Sequence, residues 1–159
     1  MAQQLIQHHT FTIEQRFAKV PEKVFAAFAD PQRKRRWFAE STNHDVEHFE
    51  MQFEPGGREK AAYRFRAGGS FAGVSLVHEG TFLDIVPEQR IVTASTMAMG
   101  GGRISASLET FEFRAEGNGT LLVFTHQAAF FEGADGPQMR QAGWEQLFSQ
   151  LRTALGREA

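Results

Sequence analysis

A helical segment near the N-terminus interrupts a chain that otherwise alternates like β-strands, and this break constrains the fold most. Residues 20–37 place Pro21 at a natural first helical position. Apolar residues then recur at helical spacing up to Phe28. Asp30, which precedes a proline, should end this helix and cap a second one running toward Trp37. The sequence therefore predicts two short helices after the first strand, which leaves the last helix of the chain free to pack across a sheet.

Alternating polar and apolar residues predict seven strands joined mostly by short turns. The predicted strands cover residues 10–17, 44–54, 58–66, 74–86, 89–98, 104–115 and 120–129. Consecutive strands with short connections favour an antiparallel meander. Between the last two strands, Asn118 and Gly119 are expected to supply the positive φ of a tight hairpin.

The C-terminal helix is the best-defined predicted element and begins near Pro137. Its apolar residues recur at three- and four-residue spacing and form one stripe, namely Trp144, Leu147, Phe148, Leu151 and Leu155. About 19 residues at roughly 1.5 Å each span about 28 Å, enough to cross a sheet. One turn earlier, the same face carries Arg140 and Gln141. These two side chains lie near the mouth of a cavity if the helix covers one, and otherwise reach solvent past the sheet edge.

Composition excludes several classes of protein. The chain has 159 residues, no cysteine and a formal net charge of −2, with acids and bases mixed along the sequence. Disulfides and thiolate chemistry are therefore absent, and no global positive field points to nucleic acid. No apolar run approaches the roughly 20 residues that span a bilayer, and the N-terminus does not resemble a signal peptide. We expect one domain over residues 1–159, in the cytoplasm, with no nucleic-acid partner and no membrane span.

Phenylalanine occurs 16 times, against two Trp and one Tyr. Phe contributes a large apolar surface without a polar group. This abundance fits either a core filled with rings or an aromatic pocket for an apolar ligand.

Signatures of catalysis and metal binding are few. The glycines lack the spacing of a phosphate-binding loop, and no Gly-x-Ser-x-Gly motif occurs. His44 and His48 would stand about 13 Å apart on a strand, too far to share a metal ion. We therefore assign no metal ligand and no cofactor.

Two histidines within predicted strands are the best candidates for polar chemistry. Strand alternation allows only one of His78 and Glu79 to point inward. An inward His78 or His126 could orient a polar ligand or act as a general base, whereas an outward one would be a surface residue. Glu109 has the same ambiguity. The basic run 33–36 is most simply a solvated helix, because four consecutive helical residues fan around the axis.

The order of several motifs resembles one known family. The segments are Val20-Pro21 through Phe28, Asp30-Pro31, Trp37, Pro55-Gly56-Gly57, residues 78–92, Gly119-Thr120 and the helix that contains Trp144. They resemble the SRPBCC (START-like) superfamily, and within it the branch named after the activator of the 90-kDa heat-shock protein ATPase. The resemblance spans nearly the whole chain.

This resemblance implies an α+β helix-grip fold, in which a curved antiparallel sheet wraps around a long C-terminal helix with a hydrophobic cavity between them. The superfamily includes lipid carriers, hormone receptors and polyketide cyclases, so the fold alone fixes no function. The namesake co-chaperones carry a separate N-terminal domain with no counterpart in these 159 residues. A chaperone partner is therefore not our first expectation, and a homodimer is left open.

We predict non-enzymatic binding of a small hydrophobic or amphipathic molecule in that cavity, because such pockets are mostly apolar with few polar anchors. No catalytic residue is assigned. The candidate ligand-binding residues are Trp37, Tyr63, Phe65, His78, Met97, Phe111, Phe124, His126, Arg140, Trp144 and Phe148. The alternatives are an enzyme of the cyclase or dehydratase type that uses His78 or His126 as its base, and a chaperone-linked interaction module.

Overall fold

The fold is built on a seven-stranded antiparallel sheet, in the order β1-β7-β6-β5-β4-β3-β2. The structure is a computed structural model and describes residues 5–132 and 134–157. The strands are β1 (Gln7–Phe17), β2 (His44–Met51), β3 (Arg58–Phe65), β4 (Ser75–Val86), β5 (Arg90–Met99), β6 (Gly102–Glu116) and β7 (Gly119–Phe130). Strands β2 to β7 form the predicted meander, and β1 pairs with β7 at the far edge.

In the part of the chain that the structure describes, three α-helices accompany the sheet. They are α1 (Pro21–Ala29), α2 (Pro31–Lys34) and α3 (Pro137–Gly156), and a π-helical turn (Arg35–Ala39) extends α2. Asp30 ends α1 and caps α2, since its Oδ1 accepts hydrogen bonds from the backbone N–H groups of Gln32 and Arg33 at 2.9 and 3.3 Å. The curved sheet, the two short helices after the first strand and the long C-terminal helix confirm the predicted helix-grip fold.

Alternation along the strands decides what lies under α3. Phe111 on β6 and Phe124 on β7 face each other across the strand pair, with ring centroids 4.7 Å apart. Trp144 of α3 packs on Phe124 at 4.5 Å, and Phe148 packs on the same ring at 5.4 Å. The predicted apolar stripe of α3 therefore lies on the aromatic centre of the sheet.

The hairpin between β6 and β7 differs from the expectation. The positive φ, 57°, belongs to Gly117 rather than to Asn118 or Gly119, so glycine occupies the first central position, as in a type II′ turn. Gly119 is required for another reason: a Cβ there would lie 2.3 Å from the backbone oxygen of Phe17. The neighbouring chain, not the dihedral angle, excludes a side chain at this position.

Within the described residues, no helix is long and apolar enough to cross a membrane. Residues 1–4, on which the expectation of no signal peptide partly rests, lie outside the described residues.

Candidate functional site

A pocket of about 360 Å³ opens between the N-terminal half of α3 and strands β3 to β6. Its walls are mainly aromatic and aliphatic, and its polar members are few. The apolar lining residues are Phe38, Tyr63, Phe65, Phe71, Leu76, Met97, Met99, Ile104, Met139, Trp144 and Leu147. The polar ones are His44, His78, Glu109, Asp135 and Arg140, and Gly143 completes the lining. The pocket thus combines an apolar body with a small set of polar groups, as small-molecule sites do.

Two larger depressions, of about 580 and 500 Å³, are less suited to an apolar ligand. One lies beside the C-terminal half of α3 and includes Arg36 and Arg157; the other includes Lys60, Glu79 and Arg103. Both are lined mostly by polar side chains. The candidate site is therefore the smaller, apolar pocket.

His78 and Glu109 form the polar inner end of this pocket. Inward alternation on β4 buries His78, while Glu79 beside it is exposed. Nε2 of His78 lies 3.5 Å from Oε1 of Glu109, and its Nδ1 lies 3.9 Å from Oε1 of Glu59. Both separations exceed a formed N–H···O hydrogen bond, and neither ring nitrogen has a hydrogen-bond partner among the described residues.

The carboxyl group of Glu109 is held in its charged form. Burial acts to raise its pKa, but His78, the nearby His126 and the hydroxyl of Ser95 together lower it to about 2. The Ser95 hydroxyl donates a hydrogen bond directly to Oε1 of Glu109. A buried, ionised carboxylate therefore borders a largely apolar pocket at neutral pH.

A buried ion pair lies behind His78. Lys34 extends from α2 and places Nζ 2.9 Å from Oε2 of Glu59, with both side chains about 6% exposed. The ammonium also lies 4.5 Å from the ring centroid of Phe38, within cation–π range. The interpretation of residues 33–36 as a solvated face was therefore wrong for Lys34, because the short helix turns this one member of the run toward the sheet.

Arg140 lies inside the site rather than at its solvent edge. Its side chain is 6% exposed, and its Nε and Nη2 donate to the two carboxylate oxygens of Asp135, both at 2.8 Å. Nη2 also donates to Oγ of Ser105 at 2.9 Å, and the guanidinium lies 5.1 Å from the ring centroid of Phe130. These contacts pair the charge of Arg140 within the protein.

His126 is fully buried beside the pocket but does not line it. Its ring stacks on Phe11 with centroids 4.7 Å apart, and neither nitrogen has a hydrogen-bond partner among the described residues. Burial lowers its pKa to about 4, against an opposing effect of Glu109. His126 is therefore neutral at neutral pH.

The structure brings six of the eleven predicted residues together. Tyr63, Phe65, His78, Met97, Arg140 and Trp144 line the pocket. The other five, Trp37, Phe111, Phe124, His126 and Phe148, pack in the buried core beside it. That any of these eleven residues binds a ligand stays a prediction.

The sequence did not decide whether Glu109 points inward. Phe38, Met139 and Gly143 line the pocket but were not among the predicted site residues. The signal for Glu109 was present, because it alternates in phase with Phe111 and Phe113, both of which are buried. The other three depend on how the π-helical turn and α3 approach the sheet, which no local pattern encodes. Among the described residues, no group of three or more His, Asp or Glu side chains is arranged to hold a metal ion.

Comparisons with known proteins place the chain in a family. The family model described as Activator of Hsp90 ATPase homolog 1-like protein matches residues 19–156. No curated protein matches the chain significantly.

Solved structures with the same architecture come from several bacteria. An uncharacterised protein from Rhizobium leguminosarum is 34% identical, with 99% of this chain and 100% of that chain covered and a TM-score of 0.89. The Mll3558 protein from Rhizobium loti is 39% identical, with 94% and 99% covered and a TM-score of 0.83. The AHSA1-like protein from Aeromonas hydrophila is 23% identical, with 93% and 92% covered and a TM-score of 0.65, and supports the fold alone. The chain belongs to the Activator of Hsp90 ATPase homolog 1-like family, within the SRPBCC superfamily.

Proposed function

We propose that the protein binds a small, largely apolar molecule non-enzymatically in the pocket between α3 and strands β3 to β6. The observation that supports this most directly is the composition of the pocket, which sets aromatic and aliphatic walls around a buried polar end. Membership of the family is consistent with a ligand-binding fold in general. A volume of about 360 Å³ is at the small end of the range for ligand sites, so the ligand is compact.

The walls would bind the ligand mainly through the hydrophobic effect. Trp144 is largely buried, whereas Phe71 and Met139 at the same pocket are 41% and 56% exposed. Each square ångström of apolar surface removed from water contributes roughly 25 cal/mol. A ligand that covers the two exposed side chains would therefore gain affinity at the outer end of the pocket without displacing the core.

Native mass spectrometry of the gently purified protein, compared with its denatured mass, tests the proposal. We expect a reproducible extra mass that is lost on denaturation. A ligand at saturating excess should also stabilise the fold by a few kcal/mol, since it binds only the folded state.

Gly143 is a position at which a large side chain can be introduced beside the pocket. It lies on α3 and lines the pocket, and a Cβ built on it meets no atom within 4 Å. We expect Gly143→Phe to abolish the extra mass while the protein stays folded. Gly156→Phe is the matched control, because Gly156 lies on the same helix, also meets nothing within 4 Å and does not line the pocket. Retention of the extra mass in Gly143→Phe would overturn this assignment of the site.

An enzyme of the cyclase or dehydratase type is the second candidate, and one observation favours it. His78 shares the pocket with a second titratable group, Glu109, and such pairs serve general acid–base catalysis. Against this role, both ring nitrogens of His78 face carboxylates rather than open space. Incubating the released ligand with wild-type protein and with His78→Gln separates the two functions, because an enzyme would convert the ligand into a product with a different chromatographic retention only in the presence of His78.

A further inference from the structure

A second depression, separate from the apolar pocket, lies between the π-helical turn and the C-terminal half of α3. Its volume is about 580 Å³, and the two share no lining residue. Arg33, Arg36 and Arg157 line it, and Glu40 is the one acidic residue among the described residues that do so. The depression is therefore rich in positive charge, although the chain as a whole has a net charge of −2.

Arg36 and Arg157 hold charges that the described part of the chain does not pair. Both residues are exposed, and neither forms an ion pair or a side-chain hydrogen bond with another described residue. Glu40 is already engaged, since its Oε2 lies 2.9 Å from Nε of Arg35, which does not line the depression. Two guanidinium groups therefore border one concave surface, and such groups fit the oxygens of an anion.

Neutral groups in the lining add hydrogen-bond donors. Ser41, Thr42 and Asn43 lie between the π-helical turn and β2, and Gln146 and Ser149 lie on α3. Their hydroxyl and amide side chains can each donate to an oxygen of an anion. The volume lies within the range of small-molecule sites and far exceeds that of one phosphate ion, so we expect the anion to be part of a larger molecule.

We propose that this depression binds a small molecule through a phosphate monoester, whose oxygens accept hydrogen bonds from Arg36 and Arg157. A phosphate monoester carries a charge of about −1.5 to −2 at pH 7, which matches two guanidinium groups better than the single charge of a carboxylate does. The C-terminus of α3 opposes an anion with roughly half a negative charge, which the two arginines outweigh. A lipid phosphate fits less well, because a chain with a net charge of −2 is not drawn to an anionic bilayer. The site is separate from the apolar pocket, so each proposal can fail without the other.

Amide NMR spectra recorded at pH 7 and constant ionic strength test the proposal with three probes on the unmodified protein. They are phenyl phosphate, benzoate and benzylammonium, which share one ring and differ in charge. We expect phenyl phosphate to shift the signals of residues 41–43 and 146–157 saturably, benzoate to bind severalfold more weakly, and benzylammonium to leave those signals in place. Vesicles of phosphatidylcholine, with and without phosphatidic acid, provide the lipid comparison and should not bind.

A pair of double variants ties the binding to the two arginines. Arg36→Gln/Arg157→Gln should raise the dissociation constant of phenyl phosphate about tenfold or more, because charge-assisted hydrogen bonds are lost. Arg58→Gln/Arg103→Gln is the matched control, since both residues are also exposed and line the other polar depression, of about 500 Å³. The control removes the same charge, so unchanged binding there excludes an effect of the overall field.

Each other outcome overturns a distinct statement. Benzoate bound as tightly as phenyl phosphate would refute the preference for a phosphate. Shifts confined to residues around Gly143 would place the probe in the apolar pocket instead. Equal weakening in both double variants would reduce the binding to the overall charge of the protein. Binding of the phosphatidic acid vesicles alone would assign the phosphate to a lipid headgroup, and no response to any probe would refute the anion site.

Discussion

Lys34 Nζ lies 2.9 Å from Glu59 Oε2, with both side chains about 6% exposed, so a buried ion pair joins the helical segment to the sheet. Glu59 in turn faces Nδ1 of His78 at 3.9 Å. The ammonium of Lys34 therefore balances a carboxylate at the back of the candidate site. Because Lys34 also lies against the ring of Phe38, which lines the pocket, the pair fixes one wall of the pocket as well.

Removing one partner should destabilise the protein strongly. In Lys34→Met, Glu59 would stay buried without its cation, and breaking a buried pair in this way costs about 3–5 kcal/mol. Urea denaturation monitored by circular dichroism measures this loss. The matched control is Arg35→Met, which breaks the neighbouring pair of Arg35 with Glu40, also 2.9 Å long but 41% and 48% exposed. That exposed pair should contribute about 1 kcal/mol or less.

The double variant Lys34→Met/Glu59→Leu distinguishes an uncompensated charge from lost packing. With both charges removed, we expect most of the stability to return, since apolar replacement of a buried pair is often neutral. If the double variant were as unstable as the single one, lost packing around Lys34 would explain the cost instead.

Sequence patterns predicted the sheet and α3 because strand and helix periods are local properties. Phe111, for example, is marked as inward by its alternation on β6. Lys34 was not predictable in this way, because α2 has only four residues and carries no face that a periodicity could identify. Its burial depends on Glu59, which is 25 positions away in the chain.

The candidate site shows the same limit. Alternation allowed His78 to point inward but could not pair it with Glu109, because β5 lies between their strands. The two side chains approach each other diagonally across that strand, since His78 lies opposite Met97 of β5 and Glu109 lies opposite Thr93. Gly143 could not be predicted as a site residue either, since its importance comes from the empty space beside it rather than from its own chemistry.

Acidification should destabilise the protein through His126. Burial lowers the pKa of this histidine from 6.5 to about 4, so the unfolded chain takes up a proton at a higher pH than the folded protein does. The difference in proton uptake adds to the free energy of unfolding. This contribution is complete above pH 6.5 and is lost as the pH falls from 6.5 to about 4. The loss should reach about 3 kcal/mol in total.

His126→Phe should remove that part of the pH dependence, because Phe keeps the ring stacked on Phe11 and does not titrate. Unfolding free energies of both proteins at several pH values between 7 and 4 provide the comparison. Glu109 affects the stability at lower pH. Folding lowers its pKa from 4.5 to about 2, so the stability that its charged form contributes is lost as the pH falls through that interval. Identical pH slopes in the two proteins above pH 4.5 would contradict the role given to His126.

Gly119→Ala should destabilise the hairpin between β6 and β7 by about 1–3 kcal/mol, the usual cost of overpacking. The added Cβ would lie 2.3 Å from the backbone oxygen of Phe17, so β1 would have to shift. Gly117→Asn is the comparison, because Gly117 has a φ of 57° with nothing within 4 Å, so this change adds backbone strain without a steric clash, and asparagine accepts a positive φ more readily than most residues. Thermal unfolding should show a clearly lower Tm for Gly119→Ala than for Gly117→Asn.

Arg140→Lys should loosen the end of α3 that covers the pocket, although it keeps the charge. Lysine cannot reproduce the two-point contact with Asp135 together with the bond to Ser105. We expect a loss of about 1.5–3 kcal/mol and faster amide hydrogen exchange in the first turns of α3. Arg152→Lys on the same helix is the control, since Arg152 is exposed and its bonds are to Gln15 and the backbone of Arg16. Equal losses in the two variants would mean that Arg140 contributes only ordinary packing, and that the helix is held over the pocket by its apolar stripe alone.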